Sequence, residues 1–159
     1  MGAKGEALAK EFVAKAEDAK AVLEKLTDAD WKKTTMAEKW TVGVTAHHLA
    51  GSYERVPQII TTIVNGQAMP HFTPQMLDQM NAKHAEEHAS CTRAETLALH
   101  KKGAATAAAV VRNLSDEQLA KAGTVFAGLP PMSAEQLVMR ALINHTDEHY
   151  GSIRKTIGA

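Results

Sequence analysis

The sequence has one cysteine, Cys91, among 159 residues. An internal disulfide framework is therefore excluded, and a lone thiol fits a reducing compartment, which makes the cytoplasm the expected location. No apolar run is long enough to span a bilayer. Met1 to Lys10 alternates alanine with lysine and glutamate where a secretory signal needs an apolar stretch. Charge of one sign is also lacking: 18 basic and 18 acidic residues balance to zero, so no overall attraction to nucleic acid or to an anionic membrane is expected. Aromatic residues make up 4% of the chain. Alternating Val/Ile/Thr segments between Asn-Gly or Asp-Gly turns are absent, which removes the raw material for a sheet.

What is present is alanine, with apolar residues recurring at three- and four-residue spacings through most of the chain, a helical composition. The expected fold class is all-α, in a single domain over residues 1–159, long enough to bury a core without staples. A first helix is predicted from Lys4 to Leu26, with Leu8, Phe12, Ala16, Ala19, Leu23 and Leu26 on its apolar stripe. Thr27 to Trp40 is a connector whose two indoles, Trp31 and Trp40, are expected to plug one end of the core or to wall a ligand site. Thr41 caps a helix over Val42 to Val64, stopped by Asn65-Gly66 and kinked or broken at Pro57. After an irregular stretch, Pro74 opens a helix reaching Ala89, and the Thr92-to-Glu95 capping box opens another reaching Leu114. Ser115 to Gln118 caps a short turn. Lys121 to Met132 reads as a loop, with Val125 and Phe126 tucked against the bundle. Ser133 to Gln136 then caps a closing helix from Ala134 to Ile157. Long helices joined in this way make a four-helix bundle with a long central crossover and short extra helices.

The chemistry-bearing residues are histidines. His145 and His149, four residues apart, lie about 40° from one another around a helix axis and can reach one ion. On a regular wheel they share the apolar stripe of the closing helix with Val138, Ala141, Leu142 and Ile153, while Arg140, Asp147 and Arg154 face water. On the Thr41-capped helix, His48 sits at the boundary of the apolar cluster and His47 near the opposite face, so His48 is the inward candidate. Three imidazoles from two helices leave coordination positions open for water or substrate, as in catalytic zinc sites. The competing reading is a set of hydrogen-bonded core histidines. A second His-x-x-x-His pair, His84 and His88, lies among Lys83, Glu86 and Glu87 and reads as a solvated face, and His100, beside Lys101 and Lys102, reads as exposed.

Trp40-Thr41-Val42, His48-Leu49 eight residues beyond the tryptophan, Asn81 in the middle helix, and His145-x-x-x-His149 followed by Gly151, Ile153 and Arg154 resemble the DinB-like metalloprotein superfamily. Within it, the chain is similar to the branch of thiol-dependent transferases and mycothiol-dependent maleylpyruvate isomerases. The resemblance implies an up-down-down-up four-helix bundle and a divalent metal, zinc or nickel, on His48, His145 and His149. It also implies frequent homodimers and a low-molecular-weight thiol as co-substrate with a small-molecule substrate. Ser52, one turn after His48, and Asn81 are the pocket candidates. The expected activity is transferase or isomerase chemistry in which the metal activates a thiol. The alternatives are metal-assisted hydrolysis at the same ion and a non-enzymatic metal-binding, stress-related interaction module.

Overall fold

Local capping signals set most of the helix starts in the computed structural model, which describes residues 2–159. Helix α1 covers Ala3–Lys25. A short α2, Asp28–Trp31, follows under a Thr27/Asp30 capping box. Thr41 accepts the Val44 N–H at 3.0 Å and opens α3, Val42–Val64. The crossover contains α4, Pro74–Glu87, capped by Thr73. Thr92 and Glu95 close a reciprocal box over α5, Arg93–Arg112, and Ser115 and Gln118 do the same over α6, Asp116–Leu119. Each box satisfies backbone donors that the first turn of a helix leaves free. Pro57 does not break α3, which runs unbroken to Val64 with the proline ring buried. The loop before the closing helix holds one element that the composition does not announce, a two-residue antiparallel pair of β1, Ala122–Gly123, with β2, Met132–Ser133.

The closing helix is not uniform. It begins as α7, Ala134–Leu137, widens into a π-helical segment over Val138–Asn144, and continues as α8, His145–Ile157, ending at Gly158 in the left-handed region. Where the π segment ends, the His145 N–H bonds the Leu142 carbonyl in a tighter i→i−3 turn rather than the Ala141 carbonyl that a regular helix would use. A π segment adds residues to a turn and so changes which side chains share a face beyond it.

Side-chain pairings give the bundle its order. On α1 and α5, His100 meets the Ala16 carbonyl, while Leu114 and Val111 meet Gly5, so these two helices run antiparallel. On α3 and α5, Gly103 lies against Tyr53 and Ala50, while Thr61 shares a groove with Val110, so these two run parallel. The closing helix runs antiparallel to α3, with Tyr53 bonded to Thr146 and His48 beside His149, and parallel to α1, with Lys15 bound to Asp147. The order is therefore up-down-down-up. A Cβ on Gly103 would stand 2.9 Å from Tyr53 Cβ, so the absence of a side chain there allows α3 and α5 to pack closely.

Between these helices lies one apolar core that includes Phe12, Leu23, Leu49, Tyr53, Ile60, Leu142 and Ile153. Phe12 and Tyr53 meet edge to face at 5.1 Å. The Tyr53 hydroxyl finds its partner in the Thr146 hydroxyl at 2.7 Å, and Thr146 in turn donates to the Leu142 carbonyl. His100 is buried at 1% exposure, contrary to the reading from its lysine neighbours. It lies four residues before Ala104 on the apolar stripe of α5, and the Ala16 carbonyl 2.9 Å from its Nε2 accepts a hydrogen bond. Helical phase outweighs the character of adjacent residues because neighbours in sequence point about 100° apart.

Candidate metal centre

The antiparallel pairing of α3 with the closing helix brings His48, His145 and His149 together. One ring nitrogen from each lies within 4.8 Å of the other two. His48 is buried, and His145 and His149 are half-buried. The buried stripe of α8 consists of Thr146, Tyr150 and Ile153, and the histidine pair sits one position around from it, on the rim of a cavity. The difference from the regular wheel follows from the π segment, which resets the phase just before His145.

A loop residue orients the pair. Glu38 accepts from His149 Nδ1 at 2.8 Å and, through its other oxygen, from the Ser152 hydroxyl at 2.6 Å. With the proton held at Nδ1, His149 Nε2 presents a lone pair toward His145 Nε2, 2.8 Å away. Burial pushes the Glu38 carboxyl up, but the Ser152 and His149 hydrogen bonds outweigh it and hold the group below the usual carboxylate range. The chain delivers Glu38 by a tight reversal, in which Lys39 adopts φ 62°, a left-handed conformation uncommon for a residue with a side chain. Backbone bonds between Thr35 and Trp40 and between Lys39 and Thr35 close the turn. The same turn sets the Trp40 ring 5.2 Å from His48. Trp31 covers Gly43 at the start of α3 and donates its indole N–H to the Cys91 carbonyl.

The surroundings keep the His48 and His145 rings neutral. Burial, followed by the neighbouring His149 and His145, pushes His48 down to about 2. Burial and then His149 push His145 down to about 4. Neutral imidazole is the form that binds metal. His48 Nδ1 and His145 Nδ1 are buried with no hydrogen-bond partner. The Ala141 carbonyl acts on the His145 ring to raise its pKa, but no hydrogen bond of normal geometry forms. Clustered ring nitrogens beside a carboxylate that fixes one tautomer form a donor set that fits a divalent ion.

His48 and His145 form part of the wall of a cavity of about 570 Å³ between α3, α4 and the closing helix. Its lining is mostly apolar, with Met80, Phe72, Phe126 and Leu137 among the larger surfaces. Ser52 and Asn81 both line it. The Ser52 hydroxyl donates to the Leu49 carbonyl at 2.6 Å, which leaves its oxygen able only to accept from a ligand. Arg55 also lines the cavity and has no carboxylate partner among the described residues. Burial lowers its pKa, and its positive charge in turn lowers those of His48, His145 and His84.

Sequence reasoning missed Glu38 and Arg55. Arg55 carried a signal, since His48, Ser52 and Arg55 are spaced i, i+4, i+7 on one face of α3. Glu38 carried none, because a loop carboxylate has no periodicity to read. His47 does point away from the core, as the wheel requires, but α4 covers that side. His84 and His88 are half-buried against it, not on a solvated face. His47 Nδ1 lies 2.8 Å from His84 Nε2, and the His47 and His88 rings stack with centroids 4.1 Å apart.

No curated protein sequence matches the chain significantly. Among solved structures, the fold is similar to that of a mycothiol-dependent maleylpyruvate isomerase, with TM-score 0.72, 16% identity, and 94% of this chain and 60% of that one covered. A mutant form of a mycothiol-dependent maleylpyruvate isomerase gives TM-score 0.74 at 14% identity with the same coverage. YfiT from Bacillus subtilis, described as a probable metal-dependent hydrolase with an unusual four-helix bundle topology, gives TM-score 0.67 at 20% identity over 98% of this chain and 86% of that one. Identities this low carry the fold alone, and the chain spans only about 60% of the length of the isomerase structures. The model of the family described as mycothiol maleylpyruvate isomerase N-terminal domain matches residues 12–146. By that match over most of its length, the chain belongs to the mycothiol maleylpyruvate isomerase N-terminal domain family.

Proposed function

We propose that this chain, as one domain over residues 1–159, is a cytoplasmic, divalent-metal-dependent enzyme of the thiol-transferase or isomerase type, acting on a small anionic substrate. The observation that carries the reading is the His48, His145 and His149 cluster on the rim of a largely apolar cavity that also contains an unpaired arginine. His48, His145 and His149 would hold the ion, with Glu38 fixing the His149 tautomer. A divalent ion held there, zinc or nickel by its nitrogen donors, supplies Lewis acidity that lowers the pKa of a thiol or water entering the cavity.

Every other contribution comes from the chain. The Ser52 oxygen can accept a proton-bearing group of the ligand, and the Asn81 amide can offer both a donor and an acceptor. Arg55 gives the cavity a cation without a counterion, which suits a substrate carboxylate and favours its bidentate recognition. Phe72, Met80 and Phe126 exclude water and would strengthen each of these polar contacts. Among the described residues no aspartate or glutamate lines the cavity, and the nearby Glu38 is already engaged by His149 and Ser152. A hydrolase needing a carboxylate base therefore lacks one here, which favours the thiol as nucleophile. A homodimer belongs to the same reading, and light scattering of the purified chain would measure it.

Cobalt substitution tests the proposal. Adding low-molecular-weight thiols to the cobalt-loaded chain should produce a thiolate-to-metal absorption band that disappears in the His48→Ala variant. Arg55→Ala should weaken binding of dicarboxylates while leaving the band intact. If no thiol at any concentration perturbs the cobalt spectrum, the transferase reading fails.

A further inference from the structure

We infer that His47, His84 and His88 form a second divalent-metal site, separate from the first, which clasps the crossover helix α4 to α3. One ring nitrogen from each of the three lies within 4.8 Å of the others, the same limit that holds for His48, His145 and His149. Each cluster also contains one close pair of ring nitrogens. His47 Nδ1 and His84 Nε2 are 2.8 Å apart, and so are His145 Nε2 and His149 Nε2. Around a tetrahedral ion with bonds of about 2.05 Å, two nitrogens stand about 3.3 Å apart, so His47 and His84 must separate slightly, and the His47 and His88 rings, stacked with centroids 4.1 Å apart, must turn out of parallel for both lone pairs to meet one ion.

The donor set is built by two independent elements. His84 and His88 project from one face of α4 at the i, i+4 spacing, while His47 comes from α3. The fold places them opposite one another, with ring centroids of 5.0 Å for His47 and His84 and 4.6 Å for His84 and His88.

A purely hydrogen-bonded trio leaves this arrangement incomplete. The His47 to His84 contact uses one proton, and His84 Nδ1 remains buried with no partner. Three clustered imidazoles from two helices form a donor set that one divalent cation can share.

The site has a mechanical consequence. Helix α4 has no fully buried residue, so little apolar packing holds it down. Yet Leu77, Met80 and Asn81 on this helix form one wall of the cavity next to the first cluster. An ion on His47, His84 and His88 ties that wall to α3 and so determines whether the cavity is closed. His48 and His84 are 5.7 Å apart between ring centroids, so the two sites are neighbours, set about 100° apart around the first turns of α3 by consecutive residues.

Zinc titration of the chelator-stripped full chain against a chromophoric competitor tests this directly. Two equivalents per chain are expected for the wild type. The His84→Ala/His88→Ala and His145→Ala/His149→Ala double variants should each retain one. The second outcome separates this site from the first: a remaining equivalent in His145→Ala/His149→Ala supports the clasp even if the thiol chemistry proposed above is wrong. Hydrogen exchange of Pro74 to His88 should slow by about a hundredfold at free zinc of 100 times the dissociation constant, because binding the closed form suppresses opening by that factor. His88→Gln, a milder change at the helix end, should abolish this protection. One equivalent in the wild type, or α4 exchange indifferent to zinc, overturns the inference.

Discussion

Replacing Glu38 should weaken metal binding without touching any of the three nitrogens that would hold the ion. The carboxylate is 9% exposed and bonds His149 Nδ1 at 2.8 Å and Ser152 at 2.6 Å. Two effects are removed in Glu38→Ala: the negative charge near a site that must accept a dication, and the hydrogen bond that keeps the His149 proton on Nδ1. Loss of such a supporting partner typically lowers metal affinity by about 10- to 100-fold, equivalent to about 1.4 to 2.7 kcal/mol. Glu38→Gln separates the effects. Its amide oxygen can still accept from His149 and its amide nitrogen can face Ser152, so the tautomer is retained and only the charge is lost. The expected order of affinity is wild type, then Glu38→Gln, then Glu38→Ala, with Ser152→Ala between wild type and Glu38→Ala. Competition with a chelator of known affinity at pH 7 measures all four, and circular dichroism of the metal-free proteins checks that folding is retained. A Glu38→Ala affinity within twofold of wild type would refute the orienting role.

Stability of the metal-free chain should fall as pH falls below about 6.5. The unfolded histidines take up protons there, while burial holds His48 down to about 2 and His84 and His145 down to about 4. For His48 alone the loss between pH 6.5 and 4.5 is roughly 2 to 3 kcal/mol. Glu38, whose pKa is lowered by folding, adds its own loss at lower pH, below the ordinary carboxylate value. Thermal melts from pH 7.5 to 4.5 should show this decline, and a flat profile would contradict neutral burial of the rings. Gly43→Ala should destabilise the chain although alanine is the better helix former, because a Cβ there would stand 2.5 Å from the Trp31 indole. Overpacking of this kind costs about 1 to 3 kcal/mol. A raised melting temperature would show that the indole retreats freely, and Trp31→Ala in the same chain should relieve the clash.

Helix positions and the inward choice of His48 over His47 were legible because both depend on local signals. Thr41, Thr73, Thr92, Ser115 and Ser133 cap where their side chains can reach the next turn, and apolar phase distinguishes adjacent histidines by about 100°. His100 was legible by phase as well, although its lysine neighbours obscured it. The remainder required the packed chain. Glu38 reaches His149 across 111 residues, from a loop with no period, through a left-handed turn at Lys39. The π segment over Val138–Asn144 shifted the histidine pair from the centre of the buried stripe to the cavity rim, and a helical wheel cannot foresee a change in its own period. His84 and His88 look solvated along α4 because the sequence shows the composition of their own helix, not what lies across from it. Only the return of the crossover over α3 decided that they meet His47. The sequence by itself thus determined the helices and the residues able to hold a metal. The tertiary structure decided which of them share a site, because ligation requires nitrogens within a few ångströms and that proximity is set by packing between helices far apart in the chain.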